Sequence, residues 1–300
     1  MTEPASASDP LLLLSDEDIE RGSALAEDGA DPPLGPRRIY SLLTRADRSS
    51  SDFSAYETMT TKKAPWPVLE RPHLGAVALP KAAPEIAVSL SQTLAIRRSK
   101  HHAGADPLAL QTLSTCLHWS AGVREQISAY NRRSYPVRYA PSAGGLAPID
   151  VYLVANNVEG IAQGLYYYHP LDHELRLLDD GNLRRIVARS AIYAEWLGYA
   201  SAVAFLVGDM DRVEWKYGER GYRFLHVDAG VLCQNLYLTG AAHGLHTCAV
   251  AAYYDEEICQ LLGIDGDRRF PVVLFGLSNP PQASILTDEL RTPDGSRGAS

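Results

Sequence analysis

From Tyr222 to Ala242 the chain carries apolar residues at helical spacing, and the run stops at Gly244, a residue type that readily closes a helix. Strand patterns surround this long segment. Ile149 to Val154 alternates in the manner of a strand. Gly164–Tyr168 and Glu174–Leu178 flank Pro170-Leu171-Asp172-His173 and predict a β-hairpin. Ser201 to Val207 is an apolar run short enough for a buried strand, and Thr247–Tyr253 and Pro271–Leu277 complete the set. Two further helices are expected upstream, Ile86–Ile96 and Leu108–Trp119, the second with Asp106-Pro107 as N-cap and first turn. Helices, then a hairpin, then mixed helix and strand predict an α+β fold, not the regular alternation of a doubly wound parallel sheet.

Residues 1–36 are rich in Ala, Ser, Asp, Glu, Gly and Pro and are expected to form a disordered tail. Residues 37–84 alternate short apolar clusters with Pro, Ser and Lys. Trp66-Pro67-Val68-Leu69 and Val77-Ala78-Leu79-Pro80 read either as an extended arm on another surface or as a linker, and proline bars both from a central strand. The compact domain is expected over residues 85–300. The net charge is −8 and no Lys/Arg block forms, which excludes a nucleic-acid groove. Cys116, Cys233, Cys248 and Cys259 lack the spacing of a zinc site and read as buried apolar residues in a reducing compartment. No apolar run reaches the ~18 residues of a membrane span. Leu11–Leu14 is flanked by acids rather than a basic leader, so a cytoplasmic protein with no membrane partner is expected.

Four stretches carry chemistry. Trp215 to Phe224 places an amine and a phenol side by side at Lys216-Tyr217. Their free pKa values are about 10.4 and 10, so a pocket must lower one of them before it works as a base near neutral pH. Arg97-Arg98-Ser99 offers two guanidiniums and a hydroxyl, which suit either a phosphate or the end of a helix dipole. His101 and His102 are adjacent, so they are expected to point apart and to share no metal. Pro141-Ser142-Ala143-Gly144 is a small-residue turn that either admits a flat ligand or simply turns. Ala249-Val250-Ala251 follows the long helix and either lets backbone amides reach a planar cofactor or packs beneath that helix.

In this order the pieces resemble the SagB-type dehydrogenases, a branch of the FMN-dependent nitroreductase superfamily, over roughly Trp66 to Pro280. The resemblance implies a nitroreductase-like α+β fold: a mixed, mainly antiparallel sheet flanked by helices, in an intertwined homodimer with FMN at the interface. It implies that Arg97, Ser99 and Arg98 hold the FMN phosphate. Pro141, Ser142, Ala143 and Gly144 would contact the isoalloxazine from the partner subunit, with Ala249, Val250 and Ala251 also near the flavin. Lys216 and Tyr217 would be the base pair. Three departures stand out. His101 and Ala103 occupy positions where the family often has an arginine and an aromatic. Ala251-Ala252 replaces a glycine-rich run, and the first 36 residues match nothing in the family.

The implied reaction oxidises a thiazoline or oxazoline ring of a ribosomally made peptide to thiazole or oxazole. A base removes the α proton, hydride goes to flavin, and dioxygen reoxidises the cofactor. A cyclodehydratase partner is expected with it. Desolvation beside the cofactor is expected to depress the Lys216 pKa. Alternatives within the fold are dehydrogenation of another natural-product intermediate, NAD(P)H-dependent nitro or flavin reduction, and a flavin-free dimeric scaffold.

Overall fold

The computed structural model describes residues 62–282, all within one compact unit. The expectations for residues 1–36, for the first part of the arm and for residues 283–300 lie outside the described residues. In chain order the elements are β1 (Gly75–Ala78), α1 (Leu90–Ile96), α2 (Leu110–Ala121), β2 (Val123–Ala129), β3 (Arg132–Arg138), β4 (Ile149–Ala155), β5 (Gly164–His169), β6 (Glu174–Asp180), α3 (Arg184–Ser190), β7 (Ala202–Asp209), α4 (Met210–Tyr217), α5 (Gly221–Ala242), β8 (His246–Val250), α6 (Asp255–Leu262) and β9 (Arg269–Ser278).

Seven strands form one sheet in the order β1-β6-β5-β4-β7-β9-β8, each neighbouring pair antiparallel. Isolated parallel bridges join Ser99 to Thr247 and Leu108 to Val158. Strands β4, β5 and β7 are buried at every position, so helices must cover both faces. Side chains alternate between those faces. Val151, Leu153, Ala204 and Leu206 pack with Leu113 and Leu117 of α2 and with Leu225, Ala229, Leu232 and Leu236 of α5. Tyr152, Val154, Val203 and Phe205 pack with Val187 of α3 and with Ile258 and Leu262 of α6. Burying a side chain such as Phe205 contributes roughly 1.5–3 kcal/mol. Helix α5 comes close to β7 because Gly208 has no side chain: a Cβ there would lie 2.5 Å from Leu225 Cδ2.

The strand and hairpin expectations match these elements, with boundaries shifted by a few residues. Helix α1 starts late, at Leu90, where Ser89 and Gln92 form a capping box. Helix α2 is not capped by Asp106-Pro107, because Leu108 is engaged in its bridge to Val158 and the N-cap falls on Ala109. The segment after the first proline cluster supplies β1, an edge strand on β6, with Pro80 just beyond its end. The hairpin β2–β3 and the short helices α3, α4 and α6, of seven or eight residues each, were not expected. No helix of the described residues is long and apolar enough to cross a membrane.

Candidate functional site

Helix α4 is short, buries Met210 and Val213 in the core, and is tied to its surroundings by ions as well. Asp209 caps it by accepting from the Asp211 N–H at 3.1 Å. Arg212, buried on α4, donates to the two oxygens of Asp150 at 3.1 and 2.7 Å and to the Ala147 carbonyl at 2.9 Å. One arginine therefore ties α4 both to β4 and to the end of the small-residue turn. Lys216 lies one helical turn beyond Arg212, so the same tie aims it at that turn. The helix stops at Gly218, whose φ of +54° suits glycine.

The turn is shaped to receive these side chains. Gly144 has φ +59°, and a Cβ on it would lie 2.8 Å from Tyr217 Oη, 3.0 Å from Lys216 Nζ and 3.1 Å from Tyr130 Oη. The Ala143 N–H donates to both oxygens of Asp228 on α5, at 3.1 and 2.9 Å. Burial pushes the Asp228 carboxyl up to about 6, against a smaller downward pull from that hydrogen bond. The Ala147 N–H donates to Ser142 Oγ at 2.9 Å and closes the loop.

The Lys216 amine donates to Tyr130 Oη at 3.1 Å. It also lies over two phenol rings, 5.2 Å from the Tyr130 centroid and 5.4 Å from that of Tyr217. Partial burial favours the neutral amine, but the hydrogen bond to Tyr130 and the two phenols outweigh it. The amine therefore titrates above its ordinary value, which corrects the expected depression. Tyr130 donates in turn to the Gly144 carbonyl.

The phosphate candidates gather at another part of α5. The Arg97 guanidinium sits 5.2 Å above the Tyr237 ring, and the Ser99 hydroxyl is 3.1 Å from Tyr237 Oη. The same phenol oxygen accepts from the Ala249 N–H at 2.7 Å. Arg98 is exposed and donates to the Ala95 and Arg97 carbonyls. Val250 ends β8, and Ala251 follows it as an exposed residue. Asp228 and Tyr237 are nine residues apart on α5, about 13 Å along the axis.

Within one chain, then, the structure joins Pro141–Gly144 to Lys216-Tyr217, and Arg97–Ser99 to Ala249. The His101 and His102 rings do not point apart: their centroids lie 4.4 Å from each other with the planes tilted by 45°. Tyr130, Asp228 and Tyr237 are site residues that sequence reasoning missed. Asp228 had a signal, an acid on the buried stripe between Leu225 and Leu232.

The residues suit FMN on two observations. Guanidinium and hydroxyl donors beside Tyr237 match a phosphate, and the 141–147 turn is open at Gly145, where a Cβ would meet nothing within 4 Å, so a flat ring can approach its backbone. Other polar clusters are already committed. Arg176 donates to Glu70, Asp172 and Glu174, so the His169–Asp172–Glu174 grouping is an ion-pair network. The cysteines are free, and burial pushes the Cys116 thiol up to about 12.

Comparison with known proteins agrees with this architecture. "Putative nitroreductase MJ1384" of Methanocaldococcus jannaschii is 30% identical over 63% of this chain and 89% of its own length. The microcin B17-processing protein McbC of Escherichia coli is 28% identical over 48% of this chain. The trifolitoxin-processing protein TfxB of Rhizobium leguminosarum is 23% identical over 53% of it. The chain spans about half the length of these two processing proteins, 53% and 44%. A solved nitroreductase-type structure from Anabaena variabilis superposes with a TM-score of 0.62 at 24% identity, covering 81% of this chain and 47% of the other. The Escherichia coli microcin synthetase McbBCD complex gives 0.51 at 21%, covering 92% and 95%, and both show the shared fold. The model of the nitroreductase family matches residues 94–277, and this chain belongs to that family.

Proposed function

We propose that this oxidoreductase is an FMN-dependent dehydrogenase that converts thiazoline or oxazoline rings of a ribosomally made peptide to thiazole or oxazole. The observation that carries the reading is the Lys216 amine, fixed between two phenols at the edge of Gly144. Hydride delivery from a nicotinamide needs no protein base. Aromatising an azoline does, because the acidic proton α to the carbonyl must leave as well. The likeness to McbC and TfxB, which process microcin B17 and trifolitoxin, supports a peptide substrate.

Arg97, Arg98 and Ser99 hold the phosphate, and Pro141–Gly144 with Ala249–Ala251 border the ring. When bound, FMN supplies the two-electron acceptor for the hydride leaving the adjacent ring carbon, and dioxygen regenerates it with hydrogen peroxide as product. Lys216 takes the α proton onto Nζ, and Tyr217 orients the amine. The amine works only when neutral, and the phenols hold it protonated near neutral pH, so the rate rises with pH into the alkaline range as it deprotonates. A second copy of the chain covers exposed apolar residues such as Leu90 and Leu94 of α1 and Val227 of α5, which are 64%, 50% and 63% exposed. A cyclodehydratase supplies the azoline.

The test is mass spectrometry of an azoline peptide incubated aerobically with the protein. Loss of one pair of hydrogens per ring supports the reading, and an unchanged mass with flavin-loaded protein refutes it. The relationship to MJ1384 favours a second reading, NAD(P)H-dependent reduction, in which NADPH bleaches the flavin and Lys216 is dispensable.

A further inference from the structure

Tyr130 occupies the first position of the two-residue turn joining β2 to β3, with φ +53°, and Asn131 follows at φ +58°. This is the geometry of a type I′ hairpin turn, which favours Asn, Asp or Gly at both positions. A bulky aromatic residue held there costs on the order of 1–3 kcal/mol and persists only where its surroundings enforce it. Glycine or asparagine would make the turn without that cost. The ring of Tyr130 packs against Ala64, Tyr135 and Leu146, a contact that a phenylalanine would make without the hydroxyl.

The strained position instead delivers the hydroxyl to two atoms of the candidate site. It accepts from Lys216 Nζ at 3.1 Å and donates to the Gly144 carbonyl. Tyr135 and Trp215 brace the ring edge-on, each with its centroid 5.5 Å away. We infer that Tyr130 is a positioning residue for Lys216, whose hydroxyl aims the amine along the Gly144 edge and sets the pH at which it becomes free to act as a base. This rests on Lys216 being the base proposed above.

The groups around the amine make the expectation specific. On α4 itself, Tyr217 faces Lys216, Glu214 is paired with Arg268, and Arg212 is paired with Asp150. On the hairpin, Tyr135 stands behind Tyr130, and Arg132 lies over Trp66. The turn over residues 141–147 carries no titratable side chain. From α5, Asp228 holds the Ala143 N–H, and Arg220, in the turn leading into α5, lies over Phe224. Burial opposes the ammonium, while both phenols favour it, the Tyr130 hydroxyl through the stronger hydrogen bond and Tyr217 less. Tyr130→Phe keeps the ring and the edge contacts and removes the hydroxyl, and with it both the bond from Lys216 and the bond to the Gly144 carbonyl.

The experiment measures the pH dependence of Lys216 acylation by acetic anhydride, read by peptide mass spectrometry in the full chain. Wild type, Tyr130→Phe and Tyr217→Phe are compared, and each is also assayed for azoline oxidation across pH. In Tyr130→Phe the labelling midpoint moves down by about one pH unit. That corresponds to roughly tenfold more neutral amine below the midpoint. The ascending limb of the rate profile moves the same way, and the plateau falls because the amine is less well aimed. Tyr217→Phe moves the midpoint less. An identical midpoint in wild type and Tyr130→Phe overturns the inference. Labelling decides the role of Tyr130 without any substrate. A shifted midpoint with no azoline oxidation by any variant therefore upholds the positioning role and refutes the substrate reading alone.

Discussion

The two regions along α5 are built on different principles. Around Gly144, polar groups from four segments close on one another: Tyr130 from the hairpin, the 141–147 turn, Lys216 and Tyr217 from α4, and Asp228 from α5. Around Tyr237 one phenol gathers Arg97, Ser99 and Ala249, while Arg98 is exposed and bonded to its own helix end. In the proposed reaction the first region would fix the geometry of reacting groups, where small displacements are costly. The second presents flexible cations, which suffice to hold an anion.

Substitutions can break this contrast. The largest effect is expected from Lys216→Ala, with azoline turnover falling ~10²–10⁴-fold while flavin is retained, as read by steady-state rate and visible absorbance. Gly144→Ala comes next. Its Cβ meets Tyr217, Lys216 and Tyr130 at 2.8–3.1 Å on a left-handed backbone, so turnover falls on the order of 10²-fold. Differential scanning calorimetry of the same variant shows a loss of about 1–3 kcal/mol.

At the other region Arg97→Ala weakens flavin binding by roughly 10–100-fold, measured by fluorescence titration, and leaves turnover of saturated protein nearly intact. The smallest effect sharpens the first region. Asp228 titrates at about 6 in the fold, above the ordinary 3.8. A carboxyl raised in this way favours the fold when protonated, so its contribution is complete below about pH 4 and is lost as pH rises through about 6. Asp228→Asn therefore melts higher than wild type at pH 8, by on the order of 1 kcal/mol after solvent screening, and the advantage closes toward pH 4.

What the sequence makes legible follows from these same principles. Strands β4, β5 and β7 are continuous buried runs and helix α5 is a long stretch with apolar residues at helical spacing, and runs and spacings of that length are what a linear chain displays. Helix α4 bears the central residue, but at eight residues, with Asp211, Arg212, Glu214 and Lys216 among its apolar positions, its pattern is too short to stand out in the chain. The hairpin β2–β3 is exposed along β2 and shows no alternation. Lys216 and Tyr217 were readable as residues of the right kind. Their partner Tyr130 is 86 positions from Lys216, and only the fold brings it near. The direction of the Lys216 titration was hidden for that reason: burial could be anticipated and the phenol could not.

The central claim is that this chain draws hydride from a ring whose proton Lys216 removes. The most direct test follows flavin absorbance of the purified protein in an anaerobic stopped-flow instrument, with an azoline peptide or NADPH added to wild type and to Lys216→Ala. The account predicts rapid bleaching by the peptide in wild type, bleaching slowed ~10²–10⁴-fold in Lys216→Ala, and little response of either protein to NADPH. Rapid bleaching by NADPH in both proteins, with colour unchanged by the peptide, would contradict it.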